Sequence, residues 1–128
     1  MRVLIVEDEV DSRDLLAEAL TRCGAEVLTA ASCDEAMAVL REQAAVNHLP
    51  HVVLSDLGMP KDDGFALIRR VRALAPAEGG LIPAVAVTGY ANPDDRDRAL
   101  AAGFHSHLPK PFDPVAVAIA VARAVGAS

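Results

Sequence analysis

Short unbroken apolar runs alternate along this chain with stretches in which apolar residues recur every third or fourth position. The first run, residues 3–6, reads Val-Leu-Ile-Val, the pattern of a strand covered on both faces. Leu15, Leu16, Ala19, Leu20 and Cys23 then mark a helix, with Asp11 placed to cap it and Gly24 to close it in the left-handed conformation. Residues 26–30 read as a second strand. Ser32 and Glu35 have the spacing of a capping box and open a helix through Ala36, Val39 and Leu40. A third strand at 51–54 runs out at Ser55 and Asp56. Asp62, Asp63 and Gly64 predict a turn into a helix carrying Leu67, Ile68, Val71 and Leu74. After a loop at 76–80, residues 82–87 predict a fourth strand that ends at Thr88. Asn92 precedes Pro93 at a first-turn position, so the next helix runs to about Ala102, where Gly103 stops it. A short fifth strand at 106–108 leads through Pro109, Lys110 and Pro111 into a last helix.

Five strand–helix units in this order predict an α/β fold, a doubly wound five-stranded parallel sheet with five helices on its two faces. At 128 residues the chain is long enough for one core and too short for two, so a single domain over 1–128 is expected. No repeat, low-complexity tract or linker interrupts it. Hydrophobic residues at 52% against 23% charged argue against disorder. No apolar run reaches the roughly 18 residues of a membrane span, and the first residues lack a basic region with a cleavage site. A cytoplasmic protein without membrane contact is the expectation.

Twelve basic and eighteen acidic residues give a net charge of −6. Phosphate backbones are bound by basic surface, so this balance speaks against nucleic acid as a direct partner. Cys23 and Cys33 are too few for a disulfide framework or a zinc site. Cys23 falls on the apolar stripe of the first helix and is read as a buried, reduced thiol.

In an open parallel sheet, sites form beyond the carboxyl ends of the strands. That rule brings Glu7, Asp8 and Glu9, then Asp56, Thr88 and Lys110, to one edge. An acid at one strand end is usually a solvated loop residue; repeated apolar runs that each end in a polar group at the same edge are more specific. Clustered carboxylates repel, and oxygen ligands select Mg²⁺, Mn²⁺ or Ca²⁺ over zinc. Lys110 would lower the pKa of a nearby carboxylate and keep it nucleophilic. A metal, a lysine and a hydroxyl together suit a transferring phosphoryl group, whose equatorial oxygens carry its charge.

At these residues the chain resembles a known family. Glu7-Asp8, Asp56 followed by Met59-Pro60 and Gly64, Thr88-Gly89 and Lys110-Pro111-Phe112 are similar to the motifs of the receiver domain of bacterial two-component response regulators. The match covers essentially the whole chain, in register with the strand–helix units. The stretch from 88 to 110, with Gly103-Phe104 and His107-Leu108, is most similar to receivers attached to hybrid sensor histidine kinases. The resemblance implies a flavodoxin-like receiver fold with strand order 2-1-3-4-5.

By the same resemblance, Asp56 is the phosphoacceptor, taking a phosphoryl group from a histidine kinase or phosphotransfer domain. Asp8 and Asp56 would ligate Mg²⁺ (or Mn²⁺) directly, Gly58 through its backbone carbonyl and Glu7 through a water. Receivers often carry Asp where Glu7 stands, and the longer side chain would shift the metal slightly. Lys110 would pair with phosphoryl oxygens and Thr88 would move to hydrogen-bond one. Pro111 follows Lys110 where receivers usually hold a cis peptide. Gly58 and Tyr90 flank the site where the family tunes phosphoryl lifetime; a small Gly58 admits water and Tyr90 shields it. The switch partner of Thr88 is usually Tyr or Phe, and here that position is His107, whose ring would make switching pH-sensitive. The alternative is a half-exposed histidine outside the switch.

Output would pass through the fourth helix, fifth strand and fifth helix, toward a homodimer mate or another domain. In the last helix Val117, Val121, Ala124 and Val125 form the stripe that faces the sheet, while Val115, Ile119 and Ala122 form a second one. Ile119 lies about 200° from Val117, so a partner is expected there too. Two other classes compete with a switch. A haloacid-dehalogenase-type phosphatase needs a second Asp where Gly58 stands, and a nucleotidase needs a glycine-rich phosphate loop that is absent, so an enzyme acting on other molecules is not expected. A pseudo-receiver, a phosphorylation-independent interaction module, typically lacks the acceptor or the lysine, and both are present.

Overall fold

A computed structural model describes residues 1–59, 63–89, 93–110 and 112–126, without the side chains of residues 93 and 95. The sequence features at Pro60, Asp62, Tyr90, Asn92 and Pro111 lie outside the described residues. The elements follow the predicted alternation: β1 (Arg2–Val6), α1 (Val10–Arg22), β2 (Glu26–Ala30), α2 (Cys33–Ala45), β3 (Val52–Asp56), α3 (Gly64–Arg72), β4 (Ala84–Thr88), α4 (Pro93–Ala102), β5 (Ser106–Pro109) and α5 (Pro114–Gly126). All strand pairs are parallel, in the order β2-β1-β3-β4-β5. One turn of 3₁₀ helix, Pro76–Glu78, interrupts the loop before β4.

The strands are unbroken apolar runs because both faces of the sheet are covered. Leu4, Val6, Val53, Ala84 and Ala86 point to the side of α2, α3 and α4, and Val3, Ile5, Val52, Leu54, Val85 and Val87 point to α1 and α5. Each of the Val, Leu and Ile side chains among them contributes about 1.5–3 kcal/mol when fully buried. Register then decides what shares an edge. Val6 pairs with Ser55, Asp56 with Val87 and Thr88 with Pro109, so β1, β3, β4 and β5 end side by side.

The helix ends follow their local chemistry. Ser32 Oγ accepts from Glu35 N at 3.1 Å, and Glu35 Oε2 reaches back to Ala31 N at 2.6 Å, a capping box shifted by one donor. Asp63 Oδ1 accepts from Ala66 N at 2.9 Å and caps α3. Gly24 and Gly103, at φ +87° and +122°, stop α1 and α4, as the sequence predicts.

Two readings are corrected. Asp11 does not cap α1: the cap position is Glu9, whose side chain makes no cap bond, and Asp11 sits in the first turn, where its charge favours the helix dipole. Cys23 is exposed and Cys33 is the buried thiol. Cys23 continues the spacing of Leu16 and Leu20, but the helix ends at Arg22, so the chain turns away before the stripe reaches it. Leu15, one residue off that stripe, is exposed as well.

Sequence patterning does not reveal Arg72. This half-buried guanidinium at the end of α3 donates to Ile82 O at 2.7 Å, Gly80 O at 3.1 Å and Gly103 O at 2.7 and 3.2 Å. It ties α3 to the loop before β4 and to the turn before β5, and burial lowers its pKa from the ordinary arginine value. Replacing Arg72 with Met keeps the apolar stem and strands these carbonyls. Urea unfolding should report a loss of about 2–3 kcal/mol, with Arg72→Lys recovering less than half because a single ammonium cannot span the three acceptors. Unchanged stability in Arg72→Met would remove the staple from the account.

Candidate functional site

Glu7, Asp8, Asp56, Thr88 and Lys110 lie at the carboxyl edge of the buried sheet. Glu7 follows β1 directly and is only 1% exposed. Its backbone is pinned at both ends, with Glu7 N donating to Ala30 O at 3.0 Å and Arg13 Nη1 donating to Glu7 O at 3.0 Å. Asp8, one residue on, is exposed, and Asp56 at the end of β3 is half-buried. One carboxylate oxygen from each of Glu7, Asp8 and Asp56 lies within 4.8 Å of the others.

The Asp56 carboxylate is oriented by its own loop, since Gly58 N donates to Oδ1 at 3.1 Å. Gly64 has to be glycine here for a steric reason: a Cβ on it would stand 2.7 Å from Asp56 O. Thr88 closes β4, buried, and its carbonyl accepts from Lys110 N at 2.6 Å. That bond fixes the base of the lysine. Its Nζ lies 3.0 Å from Glu7 Oε1 and 3.6 Å from Asp56 Oδ2.

Two of the three carboxylates, Glu7 and Asp56, therefore share one ammonium. Glu7 Oε1 is satisfied by Lys110, whereas Glu7 Oε2 is buried with no hydrogen-bond partner among the described residues. Burial, then the neighbouring Asp56 carboxylate, push the Glu7 pKa up to about 7 against the opposing pull of Lys110. The lysine does lower the Glu7 pKa, as expected of a carboxylate beside it, but desolvation of a side chain this deep outweighs it. Burial also works against the ammonium, but Glu7 and Asp56 together lift the Lys110 pKa above its ordinary value.

An oxygen-only donor set with an orphaned buried carboxylate oxygen fits a hard divalent cation. Glu7, Asp8 and Asp56 each bring one oxygen close enough to serve a single ion. His107 lies on β5 opposite Ala86, and Thr88 follows Ala86 by two residues, so Thr88 and His107 share a face of the sheet. His107 Nε2 is buried without a hydrogen-bond partner among the described residues. Val115 and Ile119 are exposed by 64% and 46%. With Ala122 they border α1 and line an apolar groove of about 480 Å³ that includes Leu15 and Cys23.

Comparison with known proteins finds similarity over nearly the whole chain. Residues 3–122 match the family described as the response regulator receiver domain. The chain is 44% identical over 115 residues to an uncharacterized 14.6 kDa protein of Leptolyngbya boryana, covering 90% of this chain and 82% of that protein. It is 37% identical over 111 residues to the sensor histidine kinase RcsC of Escherichia coli, covering 87% of this chain but 11% of the kinase. The crystallized chemotaxis protein CheY4 of Vibrio cholerae superposes with a TM-score of 0.83 at 29% identity, over 96% of this chain and 97% of that one. Among the described residues no helix is long and apolar enough to cross a membrane.

The Glu7 environment generates a stability test. A carboxyl whose folded pKa lies near 7, above its unfolded value, stabilises the fold below the unfolded pKa and loses that contribution as pH rises through 7. In EDTA, Glu7→Gln should be more stable than wild type at pH 8 by roughly 1–3 kcal/mol, with the gap closing near pH 5. Chemical denaturation at the two pH values measures it; a pH-independent difference would contradict the assignment.

Proposed function

We propose that this chain, which belongs to the response regulator receiver domain family, is a phosphorylation-operated switch in which Asp56 accepts a phosphoryl group from the phosphohistidine of a histidine kinase or phosphotransfer domain. The observation that carries the reading is the Asp56 carboxylate at the end of β3. One of its oxygens is held by Gly58 N, and Lys110, Glu7 and Asp8 stand close around it.

A carboxylate oxygen of Asp56 forms the new O–P bond as the P–N bond to the donor imidazole breaks, and the electron pair leaves on that ring nitrogen. The Gly58 amide sets the rotation of the carboxylate, so the acceptor is oriented before the donor arrives. Lys110 meets negative charge on the transferring oxygens. Thr88, buried at the neighbouring strand end, supplies a hydroxyl to one of them. Asp8 and Asp56, with the Gly58 carbonyl and Glu7 through a water, would hold Mg²⁺ or Mn²⁺. That ion, when bound, neutralises phosphoryl charge.

The new contacts draw Thr88 and Lys110 toward the acyl phosphate, and the response passes along β4 and β5 to His107 and the surface of α4, β5 and α5. Gly58 leaves that phosphate open to water. On this reading the whole chain, 1–128, acts as one switching unit in the cytoplasm and promotes only its own phosphorylation and dephosphorylation. A kinase, and a homodimer mate or neighbouring domain, are its partners.

Intact-mass measurement after incubation with acetyl phosphate and Mg²⁺ tests the acceptor. One phosphoryl adduct is expected, absent from Asp56→Asn and from wild type in EDTA, and Lys110→Ala should slow its formation by at least tenfold. A folded wild type that takes up no adduct and no beryllofluoride would instead support a phosphorylation-independent interaction module.

A further inference from the structure

We propose that the groove between α1 and α5 is the surface on which two copies of this chain pair about a two-fold axis, whatever the state of Asp56. The proposal rests on the receiver reading only for the expectation of a homodimer mate, and it seats that mate away from α4 and the acidic edge.

Exposure marks the surface first. Leu15, Val115 and Ile119 are large apolar side chains left exposed by 51%, 64% and 46%, and all three line the groove of about 480 Å³ that Cys23 also borders. Single apolar residues on a surface need no explanation, whereas three converging on one concave patch from two helices mark a contact. The patch carries both halves of a fit. Ala19, buried, and Ala118, half-buried, leave room in a groove whose lining includes the projecting Val115 and Ile119. A face with hollow and ridge side by side can meet its own copy after a half-turn, as an isologous contact requires.

Charge complementarity selects the occupant. The net charge of −6 makes most encounters between copies repulsive. Among the described residues lining the groove, the charged ones are Glu18 and Arg22, bonded to each other at 2.6 Å. The face is therefore neutral and favours neither an acidic nor a basic partner. It does match itself. Glu18 and Arg22 lie one turn apart on α1, so antiparallel packing of α1 on its mate sets each Glu18 opposite the partner's Arg22 and closes a ring of alternating charge. Exposed pairs of this kind fix register more than they add affinity; the apolar side chains supply the binding.

Cys23 makes the arrangement testable, since it is exposed at the groove while Cys33 is buried. With the axis at the level of Leu20, the two Cys23 lie about 9 Å apart along α1 at 1.5 Å per residue, within reach of bismaleimidohexane. Analytical ultracentrifugation from low to several hundred micromolar should show a reversible dimer, equal with and without acetyl phosphate and Mg²⁺. Leu15→Glu and Ile119→Glu, at exposed positions on different helices, should each weaken it by about tenfold or more. Either suffices if the other fails to fold. Glu18→Arg should also weaken it, and Glu18→Arg combined with Arg22→Glu should recover at least half of that loss. Wild type should crosslink, and Cys23→Ser should not. A monomer at every concentration, a complex formed only with an added phosphotransfer domain, a dimer indifferent to both groove variants, no recovery in the double reversal, or no crosslink through Cys23 would each overturn the pairing. The acetyl phosphate measurement separates the two readings. An adduct on a monomeric chain removes the pairing alone; a dimer that takes up no adduct removes the receiver reading alone.

Discussion

Too little positive charge for too many carboxylates, at an edge the sheet cannot relax, is the constraint on which the site depends. Glu7, Asp8 and Asp56 converge within 4.8 Å, where two like charges repel by on the order of 3 kcal/mol at an effective protein dielectric near 20. That is a large fraction of the 5–15 kcal/mol by which a domain of this size is typically stable. The backbone cannot move away, because Glu7 continues a strand buried on both faces and Asp56 ends another. The charge has to be met by Lys110, by a proton on Glu7 or by a cation. A site with three ways of balancing the same charge is one whose state responds to what binds it.

Most of the fold was legible because its determinants are local or periodic. The run at 3–6, the capping residue Ser32 and the glycine stops at 24 and 103 each carry their own physics and needed no knowledge of neighbours. Convergence of Glu7, Asp56, Thr88 and Lys110 was legible too, since strands in parallel register must end together. The pairing within that edge was not. A sequence contains no sign that Lys110 rests nearer Glu7 than Asp56, because that follows from side-chain length and burial at a depth only the packed sheet defines. Continuing an apolar spacing past the true helix end hid the exposure of Cys23, and Arg72 was missed for the converse reason. Its partners are backbone carbonyls of residues 80, 82 and 103, and carbonyls leave no signature in sequence.

These two cations solve opposite problems with the same sheet. At the edge where β4 and β5 begin, Arg72 gathers neutral carbonyls from separate loops and holds them in one arrangement. At the edge where they end, Lys110 is offered two anions and can belong to either. A fork of several donors spread over three acceptors resists rearrangement, whereas a flexible ammonium between two carboxylates does not. The rigid end keeps the strands in register, so a change at the other end is not dissipated by slippage of the sheet.

Register also determines where such a change goes. Lys110 N is bonded to Thr88 O, so the main chain beside the lysine is continuous with the end of β4. Thr88 and His107 lie on one face, and the His107 ring carries a buried nitrogen that no described residue satisfies. A buried polar atom without a partner favours any rearrangement that supplies one. On the proposed switch reading, a displacement of Thr88 toward the acidic edge would open space on the face that His107 shares. On that reading the coupling would require no long relay: two adjacent strand ends, one main-chain hydrogen bond and one unsatisfied ring nitrogen lie between Asp56 and the surface formed by α4 and β5.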